Sequence, residues 1–255
     1  MTHKNKQSIR WMNHLVTFVS FSLIIGVIWT AFWWSGFRES LTITQVRFGK
    51  TNVLNTHIYE AALGDIIGSN PNDIELKAMS DLIESHPYVK AARVSHQYPG
   101  TIQIEIIERQ PIALLKTEPM VMLDAEGVVL PNVENLGDFN LPILTNFNPE
   151  PDLYPPGQIT RSMKVKECIV WLSQIQKKYE SLYNNLSEMK ISSSNEMELI
   201  LADRPTQIYL GQDQLWHRIE ILKQFEKELG QKKISDFAYL DIRYENQIIA
   251  KGRRS

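Results

Sequence analysis

One stretch of this sequence carries no charged residue over twenty positions. Leu15 to Trp34 reads LVTFVSFSLIIGVIWTAFWW. At about 1.5 Å per helical residue it reaches roughly 30 Å, the thickness of the hydrocarbon core of a bilayer. Tryptophans stand on both sides of it, where indole rings settle at the level of the lipid headgroups. The stretch predicts one membrane-spanning helix, and its expected anchoring residues are Leu15, Phe18, Ile24, Ile28, Trp33 and Trp34.

The charges around this stretch predict its orientation. Lys4, Lys6 and Arg10 precede it, and the first acidic residue is Glu39. Positively charged flanks stay in the cytoplasm, so we expect residues 1–14 as a cytoplasmic tail and the remainder as exported. A cleaved signal peptide would have a shorter apolar run that ends in small residues. A buried core helix would need more apolar surroundings than the chain provides.

The exported part has the composition of a folded protein. Hydrophobic residues make up 43% of the chain and charged residues 22%, which is enough for a core in one large or two small domains. The net charge of -2 argues against a nucleic-acid partner, which requires clustered Lys and Arg. Cys168 is the only cysteine, so no internal disulfide forms. It shares a predicted helix face with apolar residues and is expected to be buried.

A compact pattern of elements follows the predicted span. Residues 35–40 are expected as a short polar linker, and Leu41 to Phe48 alternates as a strand with one buried face. A short helix is indicated next by a capping residue at Asn55 or Thr56 and by Gly64 at its end, and a second by its apolar residues at three- and four-residue spacing. Two strands come after them, Val89 to Gln97 and Thr101 to Ile107, joined by the turn Tyr98-Pro99-Gly100. The predicted order is strand, helix, helix, strand, strand.

Three segments carry a resemblance to a known family. They are His86-Pro87-Tyr88-Val89-Lys90-Ala91-Ala92-Arg93-Val94, Tyr98-Pro99-Gly100-Thr101-Ile102 and Ile107-Glu108-Arg109-Gln110-Pro111-Ile112-Ala113. Together with the element order they resemble the POTRA domain of the FtsQ/DivIB family of bacterial cell-division proteins, which usually has Trp where Tyr88 stands. A later segment, Tyr239-Leu240-Asp241-Ile242-Arg243-Tyr244, is similar to the terminal strand of that family. The resemblance assigns residues 41–110 to a POTRA domain.

Residues 111–250 indicate a second, mainly β domain. Met120 to Leu130 predicts a hairpin, and further short apolar runs predict more strands. Amphipathic helices are indicated from about Arg161 to Tyr179 and from about Gln214 to Leu229, and both should pack on a largely antiparallel sheet. Residues 251–255 are expected as a tail. The predicted fold class is therefore α+β: one N-terminal transmembrane helix, a POTRA domain (β-α-α-β-β) and an antiparallel β domain with two packed helices.

Motifs for chemistry are incomplete in this sequence. Phe48-Gly49-Lys50-Thr51 follows a strand as a phosphate loop does, but Thr44 stands where that loop needs its first glycine. The six histidines form no His-x-x-x-His pair. Glu105 and Glu108 fall on opposite faces of a strand, so they are expected as solvated carboxylates and not as an acid and base pair. We predict no catalytic residue, no metal and no cofactor.

The resemblance implies a non-enzymatic scaffold of the bacterial division complex. Such a protein is anchored in the inner membrane at the division septum and binds other division proteins through its periplasmic domains, to link or control septal peptidoglycan synthesis. The implied partners are FtsB and FtsL, with no small-molecule substrate. Two alternatives are an envelope enzyme with an unrecognised site and a POTRA-containing protein for transport or outer-membrane assembly. No run of alternating segments long enough for a barrel supports the second.

The late segment also predicts a place for the partner. Leu240, Ile242 and Tyr244 alternate with polar residues, which indicates a strand with one buried face, the last in the chain. A strand at a sheet edge leaves backbone N–H and C=O groups that accept the strand of a partner. Because the resemblance implies that FtsB docks here, the expected partner-binding residues are Tyr244, Gln247, Ile248, Ile249, Lys251 and Gly252. The family often has glycine where Gln247 stands.

Overall fold

The computed structural model describes residues 3–39, 42–132, 140–245 and 247–253. Several positions of the expected segments fall outside these ranges, namely Met1 and Thr2 of the cytoplasmic tail, Ser40 of the linker, Leu41 of the first strand, residues 133–139 and Asn246 of the β domain, and Arg254 and Ser255 of the C-terminal tail. The chain divides into two compact units. The first consists of Met1–Gly49, Leu63–Ser80 and Arg93–Glu105, and the second of Lys50–Ala62, Asp81–Ala92 and Ile106–Ser255.

The first unit begins with the long helix α1 (His3–Glu39). Over His14–Gly36 it has a mean hydropathy of 2.2, and it is the one helix among the described residues that is long and apolar enough to cross a membrane. Its side chains in this window are exposed, as those of a lipid-facing helix are. The helix also covers residues 35–39, which were expected as a linker, because the sequence SGFRE contains no proline to end it.

The predicted order of strand, helix, helix, strand, strand is confirmed. These elements are β1 (Gln45–Phe48), α2 (Thr56–Leu63), α3 (Leu76–Glu84), β2 (Val89–Gln97) and β3 (Thr101–Glu108). β3 lies in the middle of a three-stranded sheet and pairs in parallel with β1. Alternation along β3 buries Ile102 and Ile104 completely while Glu105 is exposed.

The second unit contains a nine-stranded sheet. Its strands are β4 (Pro111–Leu115), β5 (Val121–Asp124), β6 (Val129–Leu130), β7 (Ile143–Thr145), β8 (Leu186–Ile191), β9 (Met197–Leu201), β10 (Gln207–Gly211), β11 (Phe237–Asp241) and β12 (Ile249–Gly252). Their order across the sheet is β12-β11-β10-β9-β8-β7-β4-β5-β6. Three neighbouring pairs are parallel and the other five are antiparallel, so the sheet is largely antiparallel, as predicted.

Two long helices cover the sheet through one apolar core. They are α4 (Met163–Lys178) and α6 (Leu215–Glu228), with the short α5 (Glu180–Asn184) after α4. The hydroxyl of Ser162 accepts a hydrogen bond from the Val165 N–H at 3.4 Å and caps the start of α4. Cys168 lies fully buried on the core face of α4, where burial raises the pKa of its thiol to about 12. Its predicted burial is confirmed.

Two strands of this sheet were not predicted correctly from the sequence. β4 was not predicted, because PIALL is buried on both faces and lacks the alternation that marks a half-buried strand. β12 includes Lys251 and Gly252, which were assigned to a tail, so the late segment is not the last strand. That segment forms β11 only as far as Asp241, and backbone pairing with β12 begins at the same residue.

Candidate partner-binding edge

β12 forms one edge of the nine-stranded sheet. It runs antiparallel to β11, with Asp241 opposite Ile249, Leu240 opposite Ala250 and Tyr239 opposite Lys251. In the part of the chain that the structure describes, no strand pairs with its other side. Backbone groups of successive residues point to opposite sides of a strand, so half of those on β12 point away from β11. This outer side can accept one further strand.

Three of the predicted partner-binding residues lie on β12. They are Ile249, Lys251 and Gly252, and all are exposed. Ile249 exposes 45% of its surface, which is high for a large apolar side chain in a strand. The Lys251 ammonium lies 5.8 Å from the centre of the Tyr239 ring, within the range of a cation–π contact.

The other three lie in the connection between β11 and β12. Tyr244 and Gln247 are exposed, whereas Ile248 is half-buried and packs against the core of the unit. The structure therefore brings all six residues to one edge, with different environments. Ile248 is a structural anchor of the connection, and Tyr244, at 52% exposure, presents an aromatic ring beside the edge.

A cavity of about 190 Å³ lies beside Tyr244, and its lining includes Arg243 and Arg218. Arg243 donates through Nε and Nη2 to the Asp241 carboxylate at 2.9 and 2.6 Å, and through Nη1 to Glu196 at 3.0 Å. These contacts lower the pKa of Asp241, because the guanidinium stabilises the ionised carboxylate. Arg218 of α6 donates to the backbone oxygen of Leu210. Both arginines are therefore held in place by acceptors of the protein itself.

Neither of these two arginines was among the site residues predicted from the sequence. Asp241 and Arg243 are two positions apart, which places opposite charges on one face of an extended chain, and this spacing is a signal that would have identified Arg243. Nothing local marks Arg218. Its guanidinium reaches the cavity beside Tyr244 because Gly211 carries no side chain, and a Cβ at Gly211 would collide with that guanidinium.

The opposite edge strand, β6, is covered by chain from outside the sheet. The Val129 N–H donates to the Gln158 oxygen at 2.9 Å, and the Gly157 N–H donates to the Val129 oxygen at 2.8 Å. Val128 also forms a bridge with Ile159. Just beyond β6, the Tyr88 hydroxyl donates to the backbone oxygen of Pro131 at 2.8 Å. This edge therefore has few backbone groups left for a partner.

An ion-pair network supports the β5–β6 hairpin next to the covered edge. Arg109 Nη1 donates to Asp124 at 2.7 Å and to Glu126 at 2.9 Å, and Lys90 also pairs with Glu126. The Asp124 side chain is only 6% exposed and accepts the N–H groups of Glu126 and Val128 as well. Contacts with Lys90 and then Arg109 lower the pKa of Glu126. The hairpin turn is thus fixed by charge as well as by backbone pairing.

Glu108 is not the solvated carboxylate that its sequence position suggested. Its carboxylate accepts the backbone N–H groups of Asn52, Val53 and Leu54 at 2.5 to 2.9 Å, and the Tyr59 hydroxyl at 3.0 Å. These four bonds tie the loop before α2 to the end of β3. The carboxylate is occupied in holding a loop, which is a structural task. Glu105 is exposed as expected.

The six expected anchor residues all lie on α1 within His14–Gly36. Each exposes more than half of its surface, from 52% at Ile28 to 73% at Phe18. Their side chains carry no charge, and the two tryptophans stand near the end of the apolar window, where an interfacial belt is expected. The arrangement fits a transmembrane anchor.

Comparisons with known proteins agree with this architecture. Residues 41–109 match the family model "POTRA domain, FtsQ-type", and residues 110–251 match "FtsQ/DivIB, C-terminal related". The chain is 24% identical over 191 residues to a protein of Geotalea daltonii, covering 73% of this chain and 68% of that protein. It is 26% identical over 171 residues to one of Aliivibrio fischeri (67% and 60%) and 22% identical over 206 residues to one of Syntrophotalea carbinolica (80% and 70%).

All three relatives are named Cell division protein FtsQ. The match to the C-terminal family model alone covers more than half of the chain, and the match to the POTRA model accounts for most of the remainder after α1. Fold class, element order and the N-terminal apolar helix agree with these matches. The chain therefore belongs to the FtsQ/DivIB family of cell-division proteins.

Proposed function

We propose that this protein is a non-enzymatic scaffold of the bacterial division complex and that a partner strand adds to β12. Its family and the names of its relatives support a role in cell division. The observation that carries the proposal is the exposed strand β12, which leaves one side of a nine-stranded sheet unpaired within the described residues. Addition of a strand supplies affinity through backbone hydrogen bonds and specificity through neighbouring side chains.

The partner that we propose is FtsB, with FtsL as a further member of the assembly, as the family resemblance implies. An extended segment of FtsB pairs with the outer side of β12, where Ile249 and Tyr244 offer exposed apolar surface. Through this contact the protein links or controls septal peptidoglycan synthesis.

We place the protein in the inner membrane at the division septum, with residues 1–14 in the cytoplasm. The exported part then comprises the POTRA domain at 41–110 and the β domain at 111–250, boundaries that the two family matches support to within one residue. The orientation is supported by Lys4, Lys6 and Arg10 before the apolar helix. A reporter fused after Ser255 that stays in the cytoplasm would overturn it.

The proposed site is tested by removing one backbone donor at a time from β12. Ile249→Pro and Ala250→Pro each remove one N–H, and these two N–H groups point to opposite sides of the strand. Only one of the two substitutions spares the bonds to β11 while it removes a donor from the outer side. We expect that variant to keep the amide protection of β12 in the full-length protein and to bind FtsB at least roughly tenfold more weakly.

Ile249→Val and Ala250→Val are the matched controls, because each changes one of the two side chains and keeps its N–H. Both should bind FtsB like the parent, since strand addition depends mainly on the backbone. The other proline variant should lose the protection of β12 itself. If the variant that retains β12 protection binds FtsB as tightly as the parent, the partner site lies elsewhere on the protein.

A further inference from the structure

Side-chain burial contributes little to holding β12 in place. All four of its residues are exposed, and within the described residues β11 is the one strand that pairs with it. The pairing is irregular near one end, where the register shifts between Phe237 and Tyr239. A strand of four residues with one neighbour and no buried side chain opens at little cost in free energy. Its position must therefore depend on contacts at its two ends.

One end is held by Ile248, which packs into the core, and the other by Arg253. Arg253 follows the strand directly, and its Nη2 donates to the Thr206 hydroxyl at 3.2 Å. Its Nε donates to the backbone oxygen of Ser235 at 3.4 Å. Both acceptors belong to buried residues, since Thr206 is 0% and Ser235 5% exposed. Arg253 therefore holds one end of β12 through hydrogen bonds, as Ile248 holds the other end through apolar packing.

The contact of Arg253 continues into the backbone of β11. The Thr206 hydroxyl that accepts from Arg253 donates in turn to the Phe237 oxygen at 2.7 Å. Phe237 is the first residue of β11 and stands opposite Gly252, the last residue of β12. The chain of hydrogen bonds from Arg253 to Phe237 therefore closes the strand pair at the end where its register is irregular.

A partner strand has two ways to use this edge. It either adds to the outer side of β12, or it replaces β12 on β11, because a weakly held edge strand is exchangeable. We infer that Arg253 is a positioning residue that keeps β12 docked on β11, so that the partner adds to β12 and does not displace it. This inference rests on the proposed function. It gives Arg253 a role that the six predicted partner-binding residues do not include.

The two mechanisms predict opposite effects of Arg253→Ala. When the partner adds to docked β12, apparent affinity falls with the docked fraction, and we expect roughly threefold weaker binding of FtsB. When the partner displaces β12, the same substitution makes displacement easier and binding tighter. In the free full-length protein in detergent, Arg253→Ala should exchange the β12 amides roughly tenfold faster, the effect of losing about one net hydrogen bond to a charged group.

Two further variants separate this role from simple charge. Arg204→Ala removes another arginine that contacts the 3-10 turn Ile234–Asp236, to which Ser235 belongs, through Asp236 at 3.4 Å, and it should leave both exchange and affinity unchanged. Arg253→Lys keeps the charge but loses the planar guanidinium whose Nε and Nη2 each donate to one of the two acceptors, so it should resemble Arg253→Ala. Full affinity in Arg253→Lys would instead indicate direct attraction to the partner and overturn the inference.

Unchanged amide exchange in Arg253→Ala also overturns the inference, as does affinity that equals or exceeds that of the parent. The proline variants distinguish this failure from a failure of the proposed site. If the proline variant that retains β12 protection loses FtsB while Arg253→Ala binds normally, the edge is the partner site and Arg253 does not position it. If both bind normally, the partner uses another surface.

Discussion

At one edge of the nine-stranded sheet, β6 is two residues long and both are buried, whereas β12 at the other edge is four residues long and all four are exposed. Both strands end the same hydrogen-bond ladder. The difference arises from the segment around Gly157 and Gln158, which pairs with the backbone of β6 from outside the sheet. Within the described residues, β12 has no such cover. An uncovered edge strand has backbone groups that can pair with another chain. The edge at β12 is therefore available for association, and the edge at β6 is not.

The ion pairs beside the two edges differ in the same sense. Arg109 and Asp124 near β6 have side chains that are 17% and 6% exposed, so their pairing is largely shielded from water. Arg243 near β12 is 36% exposed and lines an open cavity, while the side chain of its partner Asp241 is 10% exposed, so only the arginine side of this pair is open to water. Shielded pairs are costly to break, and exposed ones are weak but available to a partner. The covered edge should therefore respond to mutation in stability, and the open edge mainly in binding.

The largest effect is expected from breaking the shielded pair. Arg109→Ala leaves Asp124 buried with its two backbone donors but without its cation, and we expect the free energy of unfolding to fall by about 2 kcal/mol. Pulse proteolysis in urea on the detergent-solubilised protein measures this loss. Arg204→Ala is the control, because its pair with Asp236 is 61% exposed on the arginine side and should contribute under about 0.5 kcal/mol. Equal losses in the two variants would refute the contrast between the edges.

A smaller effect, dependent on pH, is expected at the open edge. Arg243 lowers the pKa of Asp241 in the folded protein below the unfolded value of about 3.9. The ionised carboxylate therefore stabilises the fold fully above about pH 5, and this contribution is lost as the pH falls through 4 toward the folded pKa. Asp241→Asn should lower the free energy of unfolding by about 1.5 kcal/mol at pH 7, a value kept small because Arg243 is partly exposed to water. At the acidic end of the pH range it should lower the free energy of unfolding by almost nothing.

Urea unfolding of the parent and Asp241→Asn at a series of pH values checks this expectation. Asp203→Asn is a suitable control, since Asp203 is exposed in the turn between β9 and β10, and its curve should run parallel to that of the parent. A cost of Asp241→Asn that stays constant from pH 7 to pH 3 would show that the carboxylate does not act through its charge.

Local patterns in the sequence predicted much of the fold. The uncharged run gave α1, alternation gave β3, and spacing at three and four residues gave α4 and α6 within two residues at each end. These signals depend on the environment of one segment at a time, and a segment that faces lipid or a single core surface carries its own periodicity. The element order of the POTRA domain followed from the same signals.

Features that depend on pairing between distant segments could not be predicted from the sequence. β4 is buried on both faces and shows no period, and β12 is exposed at all four residues, so Lys251 and Gly252 were assigned to a tail. The strand at the sheet edge was taken to be β11, whereas β12 forms that edge. Glu108 gave no local sign that it binds a loop 54 to 56 residues earlier. Each of these roles is fixed by long-range register, which alternation within one segment does not encode.

The smallest effect, and the most direct comparison of the edges, concerns the cover of β6. Gly157 has a φ of +73° and Gly230, after α6, a φ of +63°, so alanine at either position should cost about 1 kcal/mol of backbone strain. A Cβ on Gly157 would make only ordinary contacts with Pro87, at 3.6 Å or more, so strain is the main term at both sites. Because the Gly157 N–H bonds to Val129, its strain should loosen the cover, and hydrogen exchange of the Val129 amide should be roughly fivefold faster in Gly157→Ala than in Gly230→Ala. Equal exchange in the two variants would mean that the cover of β6 does not depend on this turn, and that the two edges of the sheet differ less in their local stability than in their exposure.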